Sequence, residues 1–307
     1  MHPAFSILFF TTLAGAAQGL VVLLALCVMF GVALEPGFVP MALVVAEALL
    51  LAGLAASFLH LGRKGRAWRA VLMWRTSWMS REVIVLPAFI ALVALWWLAL
   101  RTGVTLTWLP AVLVVGALCV WYCTAMIYAC LRFIEEWAHP LTVVNFILIG
   151  LSSGLVLGCA LAALAGEIRL VQVASPWALV ATLTAWFTRH LTLRRNAALR
   201  HKSTLQSATG IRTERLVQTS MGMSAGSFNT REFFHGASAV ALRNVKTAFV
   251  LLTFVLPALL LVWALASQTT LPILLALLVQ APGLIAERWF FFAQAKHPQN
   301  LYYQVVS

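Results

Sequence analysis

Eight separate stretches of this chain are apolar for long enough to cross a lipid bilayer: residues 5–34, 41–59, 82–100, 108–131, 141–166, 173–190, 247–266 and 271–292. A spanning helix needs about 20 mainly apolar residues. Hydrocarbon offers no water to the backbone, so every N–H and C=O must be satisfied within the segment, and such runs are read as helices. The short alternating segments of a membrane barrel do not occur. Turn-prone residues separate the runs: Glu35-Pro36-Gly37 closes the first, and Ser267-Gln268-Thr269-Thr270 divides the last two. The expected fold class is therefore an all-α integral membrane protein. It is a bundle of eight transmembrane helices in a single membrane domain, residues 1–307, with a long cytoplasmic loop, 189–246, between helices 6 and 7. Composition agrees. Only 10% of residues are charged and 62% are hydrophobic, whereas soluble domains carry roughly 25% charge and disordered chains are poor in apolar residues. No cleavable leader is expected, because the first run lacks a basic flank and is long enough to span.

The charges fix an orientation. Of 21 Lys and Arg, only Arg101 and Arg169 fall at one set of alternate junctions. The others fall in the 62–81 loop, after span 4, across 189–246, and at the end of span 8. Lys and Arg concentrate on the cytoplasmic side, so both termini and the basic face are expected in the cytoplasm, with the chain multi-pass in the inner (cytoplasmic) membrane. In such a chain a net charge of +12 reports topology, and no nucleic-acid partner is expected. The 62–81 loop mixes Arg with Trp68, Trp74 and Trp78, a composition suited to headgroup depth and to membrane lipids. Trp68, Arg69, Trp74 and Arg75 form a candidate docking surface. The 189–246 loop is too long for a simple turn and holds Phe228, Arg231, Phe233 and Phe234, a second candidate docking surface.

Ionisable groups inside a membrane are costly and are functional candidates. Glu47 lies within span 2, Glu82 opens span 3, and the adjacent Glu287 and Arg288, which can partly neutralise each other, lie near the end of span 8. His60 ends span 2, followed by Arg63 and Arg66. An imidazole at that boundary can donate a hydrogen bond and relay a proton near neutral pH; it can equally cap the helix end. A His, an Arg and a carboxylate around an apolar cleft suit a quinone (ubiquinone or menaquinone), whose carbonyls need donors and whose ring needs apolar walls. No haem is expected, since His60 and His190 are not joined by a second pair at matching depth. Cys27, Cys119, Cys123, Cys130 and Cys159 form no CxxC pair and read as small packing residues, so no metal site is expected. Without a flavin, nucleotide or metal motif, any redox role needs a partner that carries cofactors.

The residues Ala56-Ser57-Phe58-Leu59-His60-Leu61-Gly62, followed by Arg66-Ala67-Trp68, resemble a signature segment of the DmsC family. Ser80-Arg81-Glu82 lies where members of that family place S-x-E before their third span, and the eight-helix pattern covers most of the chain. The family comprises anchor subunits of molybdopterin oxidoreductases such as dimethyl sulfoxide reductase. The resemblance implies a non-catalytic subunit that binds quinone beside an iron–sulfur subunit, itself joined to a molybdopterin catalytic subunit, with clusters and molybdopterin in those partners only. It carries the family's quinone-site His and Glu to His60 and Glu82. Arg66 and Arg63 are expected beside them, with Glu287 and Arg288 as further members.

In the dimethyl sulfoxide reductase type, the His-bearing loop faces the periplasm. Here the charge split places it in the cytoplasm. The Met126–Ala129, Arg132 and Trp137–Pro140 stretch and the Phe228–Gly236 loop also look like those of the SoeC-type anchors of cytoplasm-facing sulfite dehydrogenases. The resemblance therefore implies sulfite oxidation coupled to quinone reduction. The alternatives are a menaquinol-oxidising anchor of the dimethyl sulfoxide reductase type and a polytopic transporter without a redox role, which the midplane Glu47 keeps open.

Overall fold

The structure, a computed structural model, describes residues 5–59, 63–200, 202–217, 219 and 238–302. Eight helices are long and apolar enough to span: α1 Phe5–Met29, α2 Phe38–Leu59, α3 Trp78–Thr102, α4 Leu109–Ala129, α5 Pro140–Ala165, α6 Ile168–Ala197, α7 Ala239–Ser267 and α8 Leu271–Ala293. Each half of the chain closes a ring of four. In the first, α1 packs on α2 and α4, and α3 bridges α2 and α4; in the second, α5 packs on α6 and α8, and α7 bridges α6 and α8. The halves join chiefly through α1 against α5.

That joint is made by glycine. Helices in lipid gain little from hydrophobic contact with each other and associate through close packing of small residues. Gly15 and Gly19 of α1 face Gly150 and Gly154 of α5; a Cβ on Gly154 would lie 2.2 Å from the Gly19 carbonyl carbon. One turn further, Gly158 leaves room for Leu23, and Gly150 also receives the Trp121 indole of α4.

Proline shapes α7. The helix passes through one π turn, Leu251–Val255, just before Pro257. Pro257 has no N–H to give the Thr253 carbonyl one turn back. Gln280 of α8 supplies a substitute, Nε2 donating to that carbonyl at 3.3 Å. The α8 helix can come this close because Gly283 lies against the Thr253 backbone.

Hydrogen bonds sort the connections into two ends. At one end the Glu35 N–H donates to Glu167 Oε1 at 2.9 Å, joining the α1–α2 and α5–α6 turns. At the other, Arg195 Nη1 donates to the Glu135 carbonyl at 2.9 Å, and the Lys296 N–H donates to Glu136 Oε2 at 3.4 Å. The α4–α5, α6–α7 and post-α8 segments thus meet at the basic end. There His139 caps α5, its Nδ1 accepting from the Leu141 N–H at 3.2 Å. Burial, and then the Arg195 charge, hold this imidazole below the usual histidine range, favouring the neutral form that can accept.

Several boundaries differ from expectation, α3 starting at Trp78 rather than 82 and α6 at Ile168 rather than 173 among them. The first helix ends at Met29, and Gly31 turns the chain with φ +67°. The polar segment 189–246 is helical at both ends: α6 continues to Ala197 and α7 begins at Ala239. Arg194 and Arg195 in the last turn of α6 suit the negative end of the helix dipole. Basic residues therefore lengthen this helix instead of ending it. Between the two helices lies a single described turn of helix, Leu205–Thr209.

Candidate functional site

Glu82 lies on α3 just beyond its first turn. Ser77 caps that helix, its side chain accepting from the Ser80 N–H at 3.4 Å. The cap fixes where α3 begins and turns Glu82 inward, leaving it 8% exposed. Its Oε1 accepts from the Thr124 hydroxyl of α4. A carboxylate in this position is costly unless hydrogen-bonded, and Thr124 meets that need.

Thr124 is also a wall of an internal cavity of about 20 Å³, enclosed by α1, α4, α5 and α8 and lined by Thr11, Gln18, Ser153 and Arg288 among others. That volume suffices for about one water. The buried Gln18 Oε1 and Trp121 Nε1 have no hydrogen-bond partner among the described residues, which suits an ordered water. Glu82 is thus separated from Arg288 by Thr124 and the cavity that Thr124 and Arg288 both line. Tyr128 is packed among Trp137, Phe146, Phe291 and Phe292.

Beyond Arg288 the polar chain continues. Glu287 Oε1 pairs with Arg189 Nε of α6 at 2.8 Å, and its Oε2 lies 3.4 Å from Arg288 Nε. All three side chains are buried. The adjacent Glu287–Arg288 pair is present at 3.4 Å, and Glu287 has a second, shorter ion pair, to Arg189, that the sequence did not mark. The Arg288 guanidinium also lies 4.0 Å over the Phe146 ring. Arg189, which falls within the polar segment expected to be a loop, is 2% exposed within the bundle. Its burial is not legible from the flanking charges. A spacing signal exists only in retrospect, since Ala181, Ala185 and Arg189 recur every fourth residue on one buried face.

The basic loop before α3 is an exposed arm. Residues Lys64–Met73 form a 3₁₀ helix. Arg63, Arg66, Trp68, Arg69, Trp74 and Arg75 are all exposed. Arg81, which no sequence motif marks as structural, ties the arm down. Its Nε donates to the Trp74 carbonyl at 2.9 Å and its Nη2 to the Arg75 carbonyl at 2.8 Å, while its guanidinium lies 4.0 Å over Trp78. The structure thus joins Glu82 to Arg288 through Thr124 and the cavity, and leaves Arg63 and Arg66 out on the arm. His60, and the candidate docking residues Phe228, Arg231, Phe233 and Phe234, lie outside the described residues. Glu47 stands half-buried on α2, its Oε2 without a hydrogen-bond partner among the described residues.

An exposed apolar wall adjoins the Glu82 turn. Met79, Val83 and Ile84 of α3 are exposed, and Tyr122 of α4 meets Trp78 edge-on at 5.3 Å. A buried acid, its hydroxyl partner and an open apolar wall thus lie together at this turn.

Residues 1–302 match the family described as DMSO reductase anchor subunit (DmsC). The chain is also 47% identical, over 327 aligned positions spanning the whole of both chains, to a sulfite dehydrogenase subunit of Allochromatium vinosum.

Proposed function

The chain belongs to the DmsC family of membrane anchor subunits, and on that premise we propose that it binds quinone and links the quinone pool to an iron–sulfur subunit and a molybdopterin catalytic subunit that oxidises sulfite. The basic end is assigned to the cytoplasm, in keeping with the distribution of Lys and Arg. The exposed Arg/Trp arm, Lys64–Met73 with Trp74 and Arg75, is the seat for the iron–sulfur partner. Sulfite as the partner's substrate is supported by the full-length likeness to the Allochromatium protein.

One observation carries the quinone assignment: Glu82 is a nearly buried carboxylate at the start of a span, directly after the arm, hydrogen-bonded to Thr124. Reduction of a quinone by two electrons takes up two protons. Glu82 holds a proton next to the lipid-open wall of α3 and α4. Thr124 keeps its Oε1 oriented and connects it to the polar cavity. His60, which follows Leu59 in the sequence, serves as hydrogen-bond donor to a quinone carbonyl. Arg81 holds the arm against the start of α3, so that a partner seated on the arm is positioned close to this turn.

Glu82→Gln is expected to leave the complex assembled and its oxidation of sulfite with an artificial electron acceptor unchanged, while quinone-coupled turnover falls about 10²-fold, the scale of a lost acid–base group. His60→Ala should show the same split. Parental quinone turnover in both variants removes these residues from the mechanism.

A further inference from the structure

A second cleft lies at the basic end, between α6 and α7, with a volume of about 380 Å³. Its composition changes along the bilayer normal. The two helices run in opposite directions, so Arg194 of α6 and Lys246 of α7 stand at the outer level, with Arg189 and His190 about one turn inward. Trp186 of α6 and Val250 and Leu251 of α7 lie deeper. Four cationic or ionisable nitrogenous side chains thus stand above an apolar floor, and among the described residues no acid lines the cleft. The floor opens toward lipid, Trp186 being 36% and Leu251 44% exposed.

Arg189 gives a second, independent indication. It is 2% exposed, and although its Nε is paired with Glu287, its Nη2 has no hydrogen-bond partner among the described residues. A buried guanidinium N–H left unpaired is expensive, and an anion in the cleft that Arg189 lines would satisfy it.

We propose that this cleft binds one anionic phospholipid. Its phosphate sits among Arg189, His190, Arg194 and Lys246, and an acyl chain lies along Trp186, Val250 and Leu251. Basic pockets between spanning helices commonly take anionic headgroups. The graded polarity favours a lipid over a soluble anion, which has no use for the apolar floor. It also favours a lipid over an acidic protein surface, which does not reach below headgroup depth. The inference does not rest on the quinone reading, because it concerns the opposite half of the bundle.

The test is native mass spectrometry of the full-length chain released from nanodiscs containing equal phosphatidylglycerol and phosphatidylcholine. The parent should retain one phosphatidylglycerol in preference to phosphatidylcholine. The Arg194→Gln/Lys246→Gln double variant removes two exposed cations and should lower that preference roughly tenfold or more. Arg194→Lys/Lys246→Arg should keep it. Arg212→Gln/Arg215→Gln, which removes two exposed cations outside the cleft, should also keep it. Circular dichroism and the unfolding midpoint in a zwitterionic detergent establish that each variant is folded. Equal retention of both lipids by the parent overturns the proposal, as does an undiminished preference in the double variant. Displacement of the lipid by millimolar inorganic phosphate assigns the cleft to a soluble anion. Loss of the co-purifying partner subunits with lipid preference intact assigns it to a protein contact. Either of these two results also overturns the proposal.

Discussion

Glu287→Gln should destabilise the fold by about 3–5 kcal/mol, the cost of leaving a buried charge without its partner. Glu287 is 1% exposed and lies between two arginines, 2.8 Å from Arg189 Nε and 3.4 Å from Arg288 Nε. Neutralising it leaves two buried guanidinium groups with no carboxylate at this site. Phe249, 5.5 Å from the Arg189 guanidinium, and Phe146, 4.0 Å from that of Arg288, offer only ring faces. Such contacts are worth roughly 0.5–2 kcal/mol each, less than the lost pairing. The measurement is an equilibrium unfolding titration of the purified chain in mixed micelles. The converse experiment separates charge from packing. Arg189→Met/Glu287→Leu/Arg288→Met removes all three charges and should recover most of the lost stability, because a well-packed apolar replacement of a buried ionic cluster is often neutral. A Glu287→Gln midpoint within experimental error of the parent would falsify the idea that this triad stabilises the second ring.

The second large effect is steric. Gly154→Leu should prevent α1 and α5 from meeting. Even the first atom of the new side chain would lie 2.2 Å from the Gly19 carbonyl carbon and 2.3 Å from the Leu20 nitrogen, and backbone cannot rotate out of the way as a side chain can. Overpacking typically costs about 1–3 kcal/mol where the surroundings can yield. Here the cost should reach or pass the top of that range, since the contact joins the two halves of the bundle. Gly154→Ala should already be clearly destabilised. Gly37→Ala, at a position with nothing within 4 Å and no positive φ, should be silent. Thermal unfolding of the three variants in one detergent checks the order, and a Gly154→Leu protein as stable as Gly37→Ala would mean that the helices are not in contact at this point.

The eight spans were legible because hydrophobic length is a local property: about 20 apolar residues must cross regardless of what surrounds them. The grouping of connections at two ends was legible for a similar reason. The links from Glu135 to Arg195 and from Glu136 to Lys296 join the junctions that the basic residues had marked. Glu82 stood out as an acid at a span boundary, and its burial against Thr124 reflects the cost that made it conspicuous. Arg189 did not stand out. A charge near a span end reads as loop unless its partner is known, and that partner, Glu287, is supplied by another helix. The glycine joint did not stand out either: Gly150, Gly154 and Gly158 recur at four-residue spacing, but the spacing does not say which helix fills it.

The sequence by itself determined that the chain crosses the membrane eight times, which ends of the helices cluster together, and where the uncompensated polar groups enter the spans. These follow from the free energy of placing each residue in lipid or water, which is nearly additive along the chain. Only the tertiary structure decided that α1 and α5 form the joint, that Thr124, the partner of Glu82, and Arg288 border one cavity, and that Arg189 rather than Arg288 is the nearer partner of Glu287. Lipid leaves apolar helices almost indifferent to one another. Their arrangement therefore depends on steric fit and buried charge pairing between residues far apart in the chain, which no single segment specifies.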